Sequence, residues 1–360
     1  MRKILIISIF FSSFNTIAQL GGKSTYQFLN IISSPRVAAL GGYAIAIPDA
    51  DLEMTYFNPA LIDSTLHNNL NLSYVNYFSD INYGYAGYAR TFKKLGTITG
   101  AIKYINYGDF ILADEQGSLN GSFSVSETAF NFGWANDYNY GLRYGVNLKF
   151  VYSDFYEVSS FGALIDLGGS WKHEKSNFMA ALVVKNIGSQ ITTYTEGNYE
   201  SVPFEIQLGF SKRLKHAPFR FSLNFHNLEV PDFWYSSPNK LETTSLFGAE
   251  VAEVAEEEES HIVESFFRHV TAGVEVLFSK SFQIRLGYNH QRRSELKLRD
   301  GSKSGLVGFN FGLGIKVKRF HIDYGRSIYS LAGATNHLSI STNFSEFIRR
   351  EKKEAEPILK

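Results

Sequence analysis

The chain has 360 residues, room for one large domain or two ordinary ones, and only 19% are charged against 15% aromatic. Its formal net charge is zero, so no global field recruits nucleic acid. With no cysteine, disulfide scaffolds, thiolate metal sites and cysteine nucleophiles are excluded.

At the N-terminus, MRKILIISIFFSSFNTIAQ sets Arg2 and Lys3 ahead of a short apolar stretch from Ile4 to Phe14. Thr16-Ile17-Ala18 then offers a small-residue cleavage site before Gln19. Residues 1–18 read as a secretory signal peptide, too short to span a bilayer comfortably. Nothing later approaches 18 apolar residues in a row, which excludes a helical membrane protein. Residues 19–66 show no regular alternation and are punctuated by Gly41-Gly42, Pro48-Asp49 and Asn58-Pro59.

From Asn68 onward the hydrophobic period is two. Phe219, Phe221, Leu223 and Phe225 fall on one face, and Arg220, Ser222, Asn224 and His226 on the other. The same alternation runs through Leu142 to Phe150, Phe204 to Phe210, Phe282 to Tyr288 and Val307 to Ile315. Strands with one apolar face use this period; helices cannot. About fourteen segments qualify, at 68–78, 82–92, 95–107, 122–135, 139–152, 157–171, 176–187, 202–213, 217–228, 268–278, 281–292, 304–317, 319–330 and 335–344. Pro203 and Pro218 open strands, where no ladder donor is missed.

The connections are expected to alternate strictly in length. Short ones, most of them rich in Lys, Arg and His, fall at 93–96, 136–139, 172–176, 212–217, 279–280 and 316–319, and longer ones at 108–121, 188–201, 229–267 and 293–303. An even strand count with tight turns on one side and large loops on the other is the signature of a transmembrane antiparallel β-barrel, over residues 67–344. The polar faces carry Arg143, Lys149, Asp166, Glu205, Arg220, Arg285 and Asp323 beside many glycines, so a wet, glycine-lined lumen is expected. Tyrosines near strand ends, as in SYVNYFSDINYGYAGYAR (73–90), suit interfacial girdles. Residues 19–66 would then fold into the periplasmic or lumenal mouth as a hatch, and 345–360 would trail as a charged periplasmic tail.

The loop 229–267 holds the most information among the connections. Phe233, Trp234 and Tyr235 sit beside two prolines, an acidic run includes Glu256 to Glu259, and Ile262, Val263, Phe266 and Phe267 fit a short helix. It reads as a docking surface or as a solvated loop. No enzyme site can be assembled: GGKS (21–24) lacks a phosphate-loop context, SELK (294–297) shares one loop with KSG (303–305), and the nine histidines have no metal spacing. No cofactor or metal is expected.

The stretch SPRVAALGG followed by DAD and FNPAL resembles the N-terminal hatch of the outer-membrane barrels that include the long-chain fatty acid transporters. The residues that carry this are Arg36, Gly41, Gly42, Asp49, Asp51, Asn58, Pro59 and Ala60. Further stretches, among them GGKSTYQFLN, LVVKNIGSQI, LGYNHQRRSEL and LAGATNH, resemble the PorQ family of type IX secretion barrels of Bacteroidetes, over Gly21 to Phe344. That resemblance implies an outer-membrane, non-enzymatic subunit anchoring a surface attachment complex. Its partners would be a PorZ-like surface protein, a PorU-like sortase and a PorV-like barrel. The alternative it leaves open is an outer-membrane transporter or channel for hydrophobic small molecules such as fatty acids. That alternative predicts an apolar groove leading past the hatch.

Overall fold

The computed structural model describes residues 24–78, 81–114, 116–230, 257–295, 305–330 and 333–347. Residues 1–18, expected as a signal peptide, Phe233, Trp234, Tyr235 and most of residues 345–360 lie outside the described residues.

Two short helices, α1 (Pro35–Ala39) and α2 (Met54–Phe57), precede the strands. The strands are β1 (Asn69–Asn76), β2 (Asn82–Phe92), β3 (Gly96–Ala113), β4 (Leu119–Asp137), β5 (Leu142–Phe155), β6 (Val158–His173) and β7 (Phe178–Thr192). They continue as β8 (Glu205–Arg213), β9 (Phe219–Phe225), β10 (Val270–Val276), β11 (Phe282–Asn289), β12 (Phe309–Val317), β13 (Phe320–Ser330) and β14 (Gly333–Asn343). Between them lie α3 (Glu257–Arg268) and α4 (His290–Glu295). Each strand pairs antiparallel with its sequence neighbours, and β1 closes on β14. The result is the expected closed barrel of fourteen strands, which leaves no free edge.

The wall is apolar outside and polar inside. Leu142, Tyr144, Leu148 and Tyr152 of β5 are exposed, whereas Asn147, Lys149 and Ser153, at alternate positions, are buried. That inversion is the arrangement of a barrel standing in lipid. No helix among the described residues is long and apolar enough to cross a membrane; strands do the crossing.

The two sides of the wall differ in height. From a common rim of tight turns, β3 to β7 run for 18, 19, 14, 16 and 15 residues, while β8 to β12 run for 9, 7, 7, 8 and 9. About 9–11 tilted residues cross a bilayer, so the tall side is several residues longer than a crossing needs and the short side is no longer than one.

Two sequence expectations are corrected here. Most of the loop expected at 108–121 is strand, because β3 and β4 pair from Asp109↔Ser124 up to Ala113↔Leu119 past a bulge. Strand pairing across the hairpin outweighs the glycines at 108, 117 and 121, which all take positive φ. Loop length does not alternate strictly either, since β5 and β6 are joined on the outer side by Tyr156 and Glu157 alone. Tyr156 takes φ 59°, the left-handed conformation such a tight turn requires.

Candidate functional site

Residues 24–66 form a plug that occupies the lumen along its length. The plug enters at the outer end, where Ser24 bridges Ser201 of the β7–β8 loop and Thr25 N donates to Ser201 O at 2.9 Å. It descends to His67 and leads into β1 at the rim of tight turns, the side expected to be periplasmic. Around the plug the lumen is therefore packed rather than wet, with an open cavity left at the rim of tight turns. Its glycines are seats for the plug backbone: a Cβ on Gly287 would collide with Leu40 and Gly41, one on Gly145 with Pro59, and one on Gly325 with Pro35.

The hatch residues have identifiable structural tasks. Ser34 caps α1, accepting from Val37 N at 3.3 Å, and Pro35 occupies its first turn. Gly41 and Gly42 follow at φ 97° and 100°, conformations open to glycine, and let the chain turn away under β11. Asn58 folds its own turn: Oδ1 accepts from Ala60 N at 2.9 Å and Nδ2 donates to Ile45 O at 2.7 Å. This places Pro59 against Gly145 and Gly168 of the wall.

Arg36, Asp49 and Asp51 enter one buried ion cluster at the periplasmic end. Arg36 Nε and Nη2 donate to the two carboxylate oxygens of Glu275 at 2.9 and 3.0 Å. Arg36 also reaches Asp49 at 2.5 Å and Asp51 at 3.5 Å. Arg220 spans Asp49 and Glu275 at 2.6 and 2.8 Å, and Arg285 pairs with Glu275 at 3.2 Å and with Asp323. Burial alone would raise the Asp49 carboxyl, but Arg36 and Arg220 outweigh it and hold the group well below the usual carboxylate range. A cavity of about 660 Å³ opens below the cluster, rimmed by Arg213, Lys280 and Arg319.

Higher up, the tall wall grips the plug by other means. Lys149 is fully buried, pairs with Asp166 at 2.6 Å and lies 4.8 Å from the Tyr56 ring, with Lys103 at 5.0 Å from the same ring. Lys103 Nζ donates to the plug carbonyls of Leu29 and Ile31. Asn147 Nδ2 donates to Thr55 O at 3.0 Å. Glu53 accepts from Ser73 Oγ at 2.5 Å, and burial pushes its carboxyl up to about 8. At the outer end, Tyr26 shares a 2.5 Å hydrogen bond with Ser160, and Tyr26, Phe28 and Leu29 join an apolar cluster with Val75, Tyr83, Ile105, Val151 and Leu164.

Above that cluster the tall hairpins carry an aromatic face. The extra residue in β3 between Asn106 and Asp109 reverses the strand's facing. Phe110 thereby pairs with Phe123, on the side of β4 that faces the lumen lower down. The two rings stack at 5.4 Å, and Phe123 meets Tyr156 at 4.5 Å. Phe155 contacts Tyr107 at 6.3 Å and Tyr194 at 5.4 Å, and Tyr107 packs on the apolar cluster around the plug. Phe110, Phe155 and Tyr156 are exposed, so the face is open from outside. Sequence reading missed this site because a parity switch at a bulge cannot be seen in a segment taken for a loop.

Of the expected docking residues, Phe266 and Phe267 lie exposed on α3, and the backbone of Ile262 is in the same helix. The structure sets them apart from Arg36, Asp49 and Asp51, whose ion cluster lies at the other end of the barrel, while Gly41 and Gly42 pack close by, against Thr271 of β10 and Arg292 of α4.

Solved outer-membrane channels share this fold. The Pseudomonas putida toluene transporter TodX superposes with a TM-score of 0.51 at 10% identity, covering 85% of this chain and 95% of that one. The monoaromatic hydrocarbon channel CymD gives 0.50 at 11% identity, over 86% and 97%. No family model matches the chain, and no curated protein matches it. Identity this low carries the fold and says nothing about ligand.

Proposed function

We propose that this chain is a non-enzymatic outer-membrane barrel of a Gram-negative bacterium that takes up hydrophobic small molecules at its outer mouth. The observation that carries this reading is the aromatic face of the tall hairpins, which runs from exposed Phe110 and Tyr156 through Phe155 and Tyr107 to the apolar cluster around Tyr26 and Phe28. An apolar molecule moving along it exchanges water for ring faces at about 25 cal/mol per Å². The fold likeness to hydrocarbon channels agrees with the reading. Below the plug's apolar end the contacts turn ionic, so onward passage down the barrel axis requires the plug to shift.

The test is binding of a fluorescent fatty-acid analogue to the purified barrel in detergent. Replacing Phe123 and Tyr156 together by Ala is expected to weaken binding at least tenfold, since each large ring contributes about 1.5 kcal/mol or more. An unmodified barrel that binds no apolar probe sinks the reading.

A second reading is the surface-attachment subunit of a type IX secretion system, with PorZ-, PorU- and PorV-like partners. It is favoured by the ionic clamp, which suits a fixed scaffold, and by the chain-long PorQ resemblance. Mild-detergent purification of the tagged protein from native outer membranes separates the two. Stoichiometric recovery of a PorZ-like protein supports attachment, and a lone barrel carrying bound lipid supports uptake.

A further inference from the structure

Helix α3 is built the wrong way round for a helix surrounded by water. Its polar side faces the protein: Ser265 and Arg268 are buried, Glu264 bonds Arg268 at 3.0 Å, and Ser294 Oγ of α4 donates to Glu264 at 2.7 Å. The adjoining His269 is held by mutual backbone and ring hydrogen bonds with His226. The apolar side faces out. Val263, Phe266 and Phe267 are all exposed and fall within one arc of the helix, at the i, i+3, i+4 spacing.

What covers that arc is indicated by what it continues. Phe266 meets Phe225 at 6.1 Å, and Phe225 is the outermost lipid-facing residue of β9. Phe267 meets His290 at 5.8 Å, which meets Tyr288 at 6.0 Å, which meets Phe309 at 5.1 Å. Tyr288 and Phe309 lie on the outward faces of β11 and β12. The arc is thus an unbroken extension of the aromatic belt where the short wall ends at the membrane surface.

We propose that α3 is an interfacial helix that lies at the lip of the short wall with Val263, Phe266 and Phe267 inserted into the outer leaflet. Its occupant is lipid. The helix leads directly into β10, so this contact fixes the outer end of that strand at the membrane surface.

The absence of cysteine makes a clean test possible. Single spin labels are placed at Val263→Cys and Phe267→Cys in the full-length barrel, reconstituted into vesicles of phosphatidylethanolamine and phosphatidylglycerol. Leu286→Cys, on the lipid face of β11, and Tyr199→Cys, exposed in the β7–β8 loop, serve as references. Labels at 263 and 267 are expected to match Leu286→Cys, accessible to oxygen and shielded from a nickel chelate. Labels that match Tyr199→Cys overturn the proposal. So do labels that become shielded only when outer-membrane extract is added, since a protein then covers the face. Folding of each variant is checked by faster gel migration before boiling, and variants that fail it are replaced by Phe266→Cys.

Discussion

The tall wall, β3 to β7, and the short wall, β8 to β12, hold the same plug by different physics. The short wall uses charge: Arg220, Glu275 and Arg285 come from three adjacent strands, with Glu275 directly opposite both arginines in register. The tall wall sets buried Lys149 and Lys103 over the plug's Tyr56 ring, with Lys149 paired to Asp166, and adds hydrogen bonds from Asn147 and Ser160; close backbone approach, at Gly145 here and at Gly287 opposite, is common to both. They also send their outer aromatics in opposite directions, inward at Phe110 and Phe123 and outward at Phe266 and Phe267. Phenylalanine takes its role here from wall height. Above the bilayer an apolar face must be sheltered over the mouth, and level with it the same face can enter lipid.

The largest expected effect is at the short wall. Glu275→Ala leaves three buried guanidinium groups short of their shared acid, a loss of about 3–5 kcal/mol. Urea unfolding in lipid vesicles measures it, and a loss below about 1 kcal/mol would mean that charge does not hold this side.

The next effect depends on pH and lies where the plug meets β1, between the two walls. The Glu53 carboxyl sits at about 8 in the folded protein, above its ordinary value of 4.5. Below 4.5 both states are protonated and the group is neutral in its effect. As pH rises toward about 8 the unfolded chain releases this proton first, so stability falls across that window. Glu53→Gln is expected to unfold like the parent at pH 4 and to be the more stable at pH 8–9. Identical curves across the range would contradict the buried neutral acid.

The smallest effect belongs to the tall wall. Tyr26→Phe removes one hydroxyl bond to Ser160 and keeps the buried ring, for about 1 kcal/mol. A cost approaching that of Glu275→Ala would erase the distinction between the walls.

The strand count, the faces of most strands and the absence of helical spans follow from the sequence alone, because side chains alternate across a strand and lipid demands an apolar outer face. The local turns at Gly41-Gly42 and Asn58-Pro59 were also legible, since these residue pairs are turn formers. Tertiary structure decided what those residues meet. Arg36 and Glu275 are 239 positions apart, and only closure of the barrel around the plug brings them together. Packing decided that the inward glycines seat a plug instead of lining water. One extra residue in β3 turned Phe110 toward the mouth, and strand length set where α3 meets the membrane. Periodicity reports which residues share a face; depth, register and partner are properties of the closed barrel.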